Sequence, residues 1–225
     1  MSKQLQALII GASRGIGLGL SKELQQRGWA VSATRRLLAG AEESPEIKWL
    51  TLDINNLQQS TTFGQMLPLE QFDVIVVNAG VYGPDHQSVS STTQDELLSL
   101  FMTNTFSPIR IANAVLPSLK ANTGVLAFTS SKLASLNENP HADMPLYSAS
   151  KSALNMLTRT LLPATESRGL TLLSLHPGWV QTELGGAAAP LTVQESVQGL
   201  ANVLDNYQGK GGHHFVDYSM QNLSW

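Results

Sequence analysis

The 225-residue chain contains no cysteine, which excludes a disulfide framework and any thiolate metal site. Charged residues make up only 14% and the formal net charge is -3, so there is no basic excess for bulk nucleic-acid or anionic-membrane binding. Long apolar runs are also missing: ALII at 7–10 stops at Gly11, too short for a signal sequence or a membrane span. No Pro/Ser/Gly-rich linker, internal repeat or low-complexity stretch divides the sequence. These absences lead to the expectation of a soluble, cytoplasmic protein with a single domain over 1–225.

What the chain does hold is alternation. Short apolar runs at 7–10, 29–33, 49–52, 74–77, 125–128 and 170–175 read as strands, and HHFV at 213–216 as a further one. Helix-period segments near 15–27, 56–66, 94–119, 147–168 and 192–205 lie between them, the last opened by a Thr192–Glu195 capping box. Pro108 should kink or restart the third. Near-continuous apolar strands separated by helices predict a parallel sheet covered on both faces, with ligands at the strand carboxyl ends.

The first strand runs into GASRGIG, which places Gly11, Gly15 and Gly17 between a strand and a helix. Such a turn can bring a pyrophosphate against backbone N–H groups at the helix N-terminus, or can serve tight helix–sheet packing. The second strand ends at Arg35 and Arg36, where a free ribose 2′-hydroxyl would call for an acidic residue. With Arg14 in the turn, these guanidiniums suit a 2′-phosphate and favour NADP(H) over NAD(H); the alternative is a solvated pair at a strand end. Tyr147 and Lys151 stand four apart on a predicted helix, so phenol and ammonium share one face.

GASRGIG, NAG at 78–80, Ser130–Ser131, YSASK at 147–151 and HPGWVQT at 176–182 occur together in order. In this the chain resembles the short-chain dehydrogenase/reductase family, and its short tail resembles the C-factor-like and sniffer-type carbonyl reductases. The resemblance implies a Rossmann-type, doubly wound parallel sheet of about seven strands and hydride transfer between a nicotinamide and a small carbonyl or alcohol. It implies Tyr147 as proton donor, Lys151 as its activator and ribose contact, Ser131 as carbonyl-polarising hydroxyl and Asn104 as holder of a relay water. Cofactor contacts implied in the same way are Gly11, Ser13, Arg14, Gly15, Ile16, Gly17, Arg35, Asp53, Ile54, Asn78, Ala79, Gly80, Tyr147, Lys151, Pro177, Gly178, Val180 and Thr182.

Several readings stay open. Ser130 and Ser135 compete with Ser131, because the gap from Ser131 to Tyr147 is longer than the family's usual spacing. Asn104 also reads as an ordinary residue beside the Pro108 kink. Trp179, Tyr82, Met144 and Leu146 read as substrate pocket or as core. The histidines lack acidic or cysteine company at ligand spacing, so no metal is expected. The stretch ELGGAAAPL between Thr182 and Thr192 reads as a short, mobile cover. A homodimer or homotetramer is the accompanying expectation, and a cofactor-binding redox sensor is the rival to an enzyme.

Overall fold

The computed structural model describes residues 4–36 and 44–225. Seven strands form one parallel sheet: β1 (Gln6–Ile10), β2 (Ala30–Arg35), β3 (Lys48–Thr51), β4 (Val74–Val77), β5 (Val125–Thr129), β6 (Thr171–His176) and β7 (His213–Asp217). Their order is β3-β2-β1-β4-β5-β6-β7. The chain leaves β1 toward β2 on one side and returns to β4 on the other, which opens a crevice beyond their carboxyl ends.

Alternation along each strand divides the core in two. Ala7 and Ile9 face α1 (Gly15–Gln26) and α7 (Val193–Tyr207), where Leu20, Leu24, Val197 and Leu204 are buried. Leu8 and Ile10 face the opposite layer, with Phe63 of α2 (Leu57–Met66), Ile111 of α4 (Ser107–Val115) and Leu154 of α5 (Pro145–Thr158). Because both faces are covered, the central strands β1, β4 and β5 are near-continuous apolar runs rather than alternating with polar residues. The Thr192–Glu195 capping box is present at the start of α7.

The predicted 94–119 helix is three pieces. α3 (Gln94–Phe101), opened by a second capping box between Thr93 and Glu96, passes into a π-helical turn over Met102–Phe106 before α4 begins. In an α-helix the carbonyl of residue 104 would accept from the N–H of residue 108, and Pro108 has none. The ladder widens there, with Ser107 N–H reaching back to the Met102 carbonyl. The predicted 147–168 helix likewise breaks, into α5, a 3-10 turn at Arg159–Leu161 and α6 (Leu162–Glu166), with Pro163 in its first turn.

Past β7 the chain doubles back. Asn222 bridges antiparallel to Val216, Leu223 N–H donates to the Phe215 carbonyl, and Trp225 lies against His213, Phe215 and Arg159. No helix among the described residues is long and apolar enough to cross a membrane.

Candidate functional site

The glycine turn lies between β1 and α1, as its sequence position requires. Gly11 takes φ +88°, and a Cβ there would come within 2.6 Å of the Ala79 backbone. A Cβ on Gly17 would come within 2.3 Å of the Gly11 carbonyl and 2.6 Å of Asn78 Nδ2. These two glycines are therefore demanded by the protein's own packing. Gly15, at φ +55°, meets among the described residues only Thr182, at 3.4 Å, so it faces the 182 segment across the crevice. Among the described residues no side chain caps the first turn of α1, and its approach through Ser13 and Arg14 is exposed. An uncapped helix start beside an exposed turn fits an anion such as a pyrophosphate. Ile16 is half-buried against the core.

The end of β4 locks onto this turn. Asn78 Nδ2 donates to the Gly11 carbonyl at 2.8 Å, while Asn78 Oδ1 accepts from Thr129 Oγ1 at 3.0 Å. Ala79 packs beneath Gly11, and exposed Gly80 lies where a Cβ would be 3.4 Å from both Asn104 Oδ1 and Lys151 Nζ. The sheet thus brings the NAG stretch, the π-turn and α5 to one place. Asn104 is fully buried, its amide exchanging bonds with Val81 N–H and carbonyl and donating to Ser150 Oγ. That makes it a structural clasp on the 80–81 backbone as well as a neighbour of Lys151.

Tyr147 and Lys151 share one face of α5, with Nζ 5.8 Å from the ring centroid. Both are buried, at 8% and 3% exposure. Burial pushes the phenol up to about 12 and the ammonium down to about 8. Desolvation is the cause of both shifts, and Lys151 Nζ donates to the Thr129 carbonyl at 2.8 Å. A phenol held protonated is nevertheless the form that carbonyl reduction consumes. Tyr82 stacks on Tyr147 with centroids 6.2 Å apart, which places it in the site.

The serines differ in their commitments. Ser130 Oγ donates to Asn155 Oδ1 at 2.7 Å in the buried interior. Ser135 Oγ accepts from the backbone N–H groups of Asn137 and Glu138, a turn cap. Ser131 Oγ accepts from Leu133 N–H at 3.2 Å and, among the described residues, donates to none, so its proton remains to be given.

On the far wall, Pro177 is buried, Gly178 takes φ +85° against Leu191 and Tyr218, and Val180 is buried and bridged to Leu191. Thr182 Oγ1 donates to the Val180 carbonyl at 3.3 Å and accepts from Gly185 N–H at 3.0 Å. The 183–191 stretch is short, as expected, but is tied down rather than loose: Gln181 N–H reaches the Leu191 carbonyl, Gln181 Nε2 the Ala189 carbonyl, and Trp179 Nε1 the Gly185 carbonyl. Trp179 is 56% exposed, so it belongs to the mouth and not the core.

The arginines correct the picture of a solvated pair. Arg35 is only 4% exposed and lies over the Trp49 ring at 4.7 Å, whereas Arg36 is exposed. The Arg35 carbonyl accepts from Leu52 N–H, which brings Asp53 and buried Ile54 beside it. Asp53 Oδ1 caps Asn55 N–H. Arg14 pairs with Glu183, so a salt bridge links the glycine turn to the opposite wall. Among the described residues no three His, Asp or Glu side chains gather as a metal site.

A family model described as short chain dehydrogenase matches residues 6–190. The chain belongs to the short-chain dehydrogenase/reductase family of oxidoreductases. It is 33% identical over 156 residues to the C-signal of Myxococcus xanthus, covering 68% of this chain and 92% of that protein. A carbonyl reductase from Pseudomonas aeruginosa PAO1, solved in complex with NADP, superposes with TM-score 0.90 at 41% identity, covering 99% of this chain and all of that one (100%). Carbonyl reductase Sniffer of D. melanogaster superposes with TM-score 0.90 at 30% identity, with coverage of 99% and 100%. Relatives of the C-factor and sniffer kind are thus those the sequence pointed to.

Sequence reasoning missed Gln87, which reaches the backbone of Tyr147 from sixty residues upstream. It also missed Glu183 and Asn155; no local motif marks any of the three.

Proposed function

We propose that the protein is an NADPH-dependent reductase of small carbonyl compounds, with Tyr147 as the proton donor. The observation that carries this is the buried Tyr147–Lys151 pair beside Gly80, at the strand ends where the glycine turn and the 177–182 wall meet. The likeness to a carbonyl reductase solved with NADP supports it.

The turn at Ser13–Gly17 and the start of α1 would hold the pyrophosphate, Asp53 and Ile54 the adenine, Asn78–Gly80 the adenosine side, and Pro177, Gly178, Val180 and Thr182 the nicotinamide. Arg14 and Arg35 would meet the 2′-phosphate. Bound there, NADPH would supply the hydride to the carbonyl carbon. Tyr147 gives its phenolic proton to the carbonyl oxygen, whose growing charge Ser131 steadies by donating a hydrogen bond. Lys151, cationic below about pH 8, favours the phenolate left behind and would hold the nicotinamide ribose when the cofactor is bound. Asn104 holds the 80–81 backbone in place and keeps the π-turn beside Lys151.

Exposed Trp179 and a short wall make an open mouth, suited to varied small or planar carbonyl compounds with little discrimination by a single methylene. The test is NADPH oxidation against aldehydes, ketones and quinones, with Tyr147→Phe beside the parent. Turnover should fall at least about a hundredfold while NADPH affinity stays nearly unchanged. Parental turnover in Tyr147→Phe would leave the redox-sensor reading as the better one.

A further inference from the structure

The helix that carries Tyr147 begins without a cap of its own. Residue 144, at its N-cap, is a methionine in left-handed backbone (φ +50°) that offers no side-chain acceptor, and Pro145 follows it. The N–H of Tyr147 is nonetheless satisfied, by Oε1 of Gln87 at 3.0 Å. Gln87 Nε2 donates in the other direction, to the carbonyls of Tyr82 at 3.2 Å and Pro84 at 2.9 Å. Its side chain is therefore spent entirely on two backbones: the start of α5 and the 82–84 loop.

Two further observations set this glutamine apart from an incidental contact. It is 8% exposed, and buried amides are kept only where their donors and acceptors are matched. Its backbone takes φ +48°, a region that residues other than glycine, asparagine and aspartate seldom occupy, so the surroundings hold it there. The loop it anchors carries Tyr82, whose ring stacks on that of Tyr147. One side chain thus fixes both the axial position of Tyr147 and the aromatic wall against it.

We propose that Gln87 is a positioning residue for Tyr147, setting the height of the phenol relative to the carbonyl oxygen by capping α5 from the opposing loop. The proposal rests on the reading of Tyr147 as proton donor. Gln87 takes no part in the proton transfer; it acts through the Tyr147 backbone and Tyr82. Proton transfer is steep in distance, and a displacement of about 1 Å can cost up to a hundredfold in rate.

The test compares Gln87→Met, of similar length without hydrogen-bonding groups, with Gln87→Gly, which accepts the positive φ and removes the side chain. Each is measured for kcat, KM, NADPH dissociation constant by nicotinamide fluorescence, melting temperature and amide exchange over 145–151. Both variants should lose about tenfold or more in kcat, keep NADPH affinity within about twofold, and exchange the Tyr147 amide faster. A residue that merely held the loop would lower the melting temperature or raise KM and leave kcat alone. If Gln87→Met does not fold, Gln87→Gly decides, because its backbone is relieved of strain. Parental kcat in either folded variant, alongside an inactive Tyr147→Phe, overturns the proposal and spares the assignment of Tyr147. Parental kcat in Tyr147→Phe overturns both.

Discussion

Replacing Lys151 by methionine should make the ligand-free protein more stable while disabling it. Burial lowers the lysine from 10.5 to about 8, and each unit is worth about 1.4 kcal/mol, so the buried cation costs the fold about 3 kcal/mol at pH 7. Methionine removes that cost but loses the hydrogen bond to the Thr129 carbonyl, about 1 kcal/mol, leaving a net gain of about 2 kcal/mol. In a chain of this length that is a rise of roughly 4–8 °C in melting temperature. Below pH 8 the lysine is protonated in both folded and unfolded chains and the full cost is present. As pH climbs from 8 toward 10.5 the folded lysine releases its proton first, the cost fades, and the advantage of methionine should vanish near pH 10. Thermal unfolding of the two cofactor-free proteins from pH 7 to 10 measures this. A variant that melts below its parent at pH 7, or by a constant difference across the range, would refute burial as the dominant influence on Lys151.

Ser131→Ala should cut kcat with little effect on stability, since its only described bond is accepted from Leu133, whereas Ser130→Ala should lower stability by about 1–3 kcal/mol by stranding Asn155; kinetics and melting curves on the pair would separate them. Glu183→Gln should raise NADPH affinity about two- to fivefold over NADH by releasing Arg14, and Arg14→Gln should lower it about tenfold, both read by titration with the two cofactors. Gly17→Ala should fail to fold stably or bind cofactor, because its methyl would overlap the Gly11 carbonyl; a folded variant with parental melting temperature would show that the turn can yield.

The strands could be read from the sequence because burial on both faces leaves apolar runs with sharp ends, and each of the seven runs corresponds to a strand. The glycine turn was visible for a partly different reason than the one that preserves it: Gly11 and Gly17 meet neighbouring backbone and side-chain atoms, and only Gly15 looks across the crevice. Pro108 announced a break, but not that the ladder would widen into a π-turn before it, with Ser107 N–H bonded to the Met102 carbonyl. Arg35 was legible as a cation and illegible as a buried one, since Trp49 reaches it from the neighbouring strand. Gln87 was invisible altogether, because a cap delivered from sixty residues away leaves no pattern around the helix it serves.

The returning tail also bears on how this protein keeps company with itself. The outer edge of β7 would otherwise offer a row of open backbone groups, a template on which a second chain could crystallise its own strand. Asn222 and Leu223 occupy part of that row, and Trp225 lies over the His213 and Phe215 rings beside it. The segment thereby shields that stretch of the edge, and its removal should leave those backbone groups open to pairing with a strand of another chain.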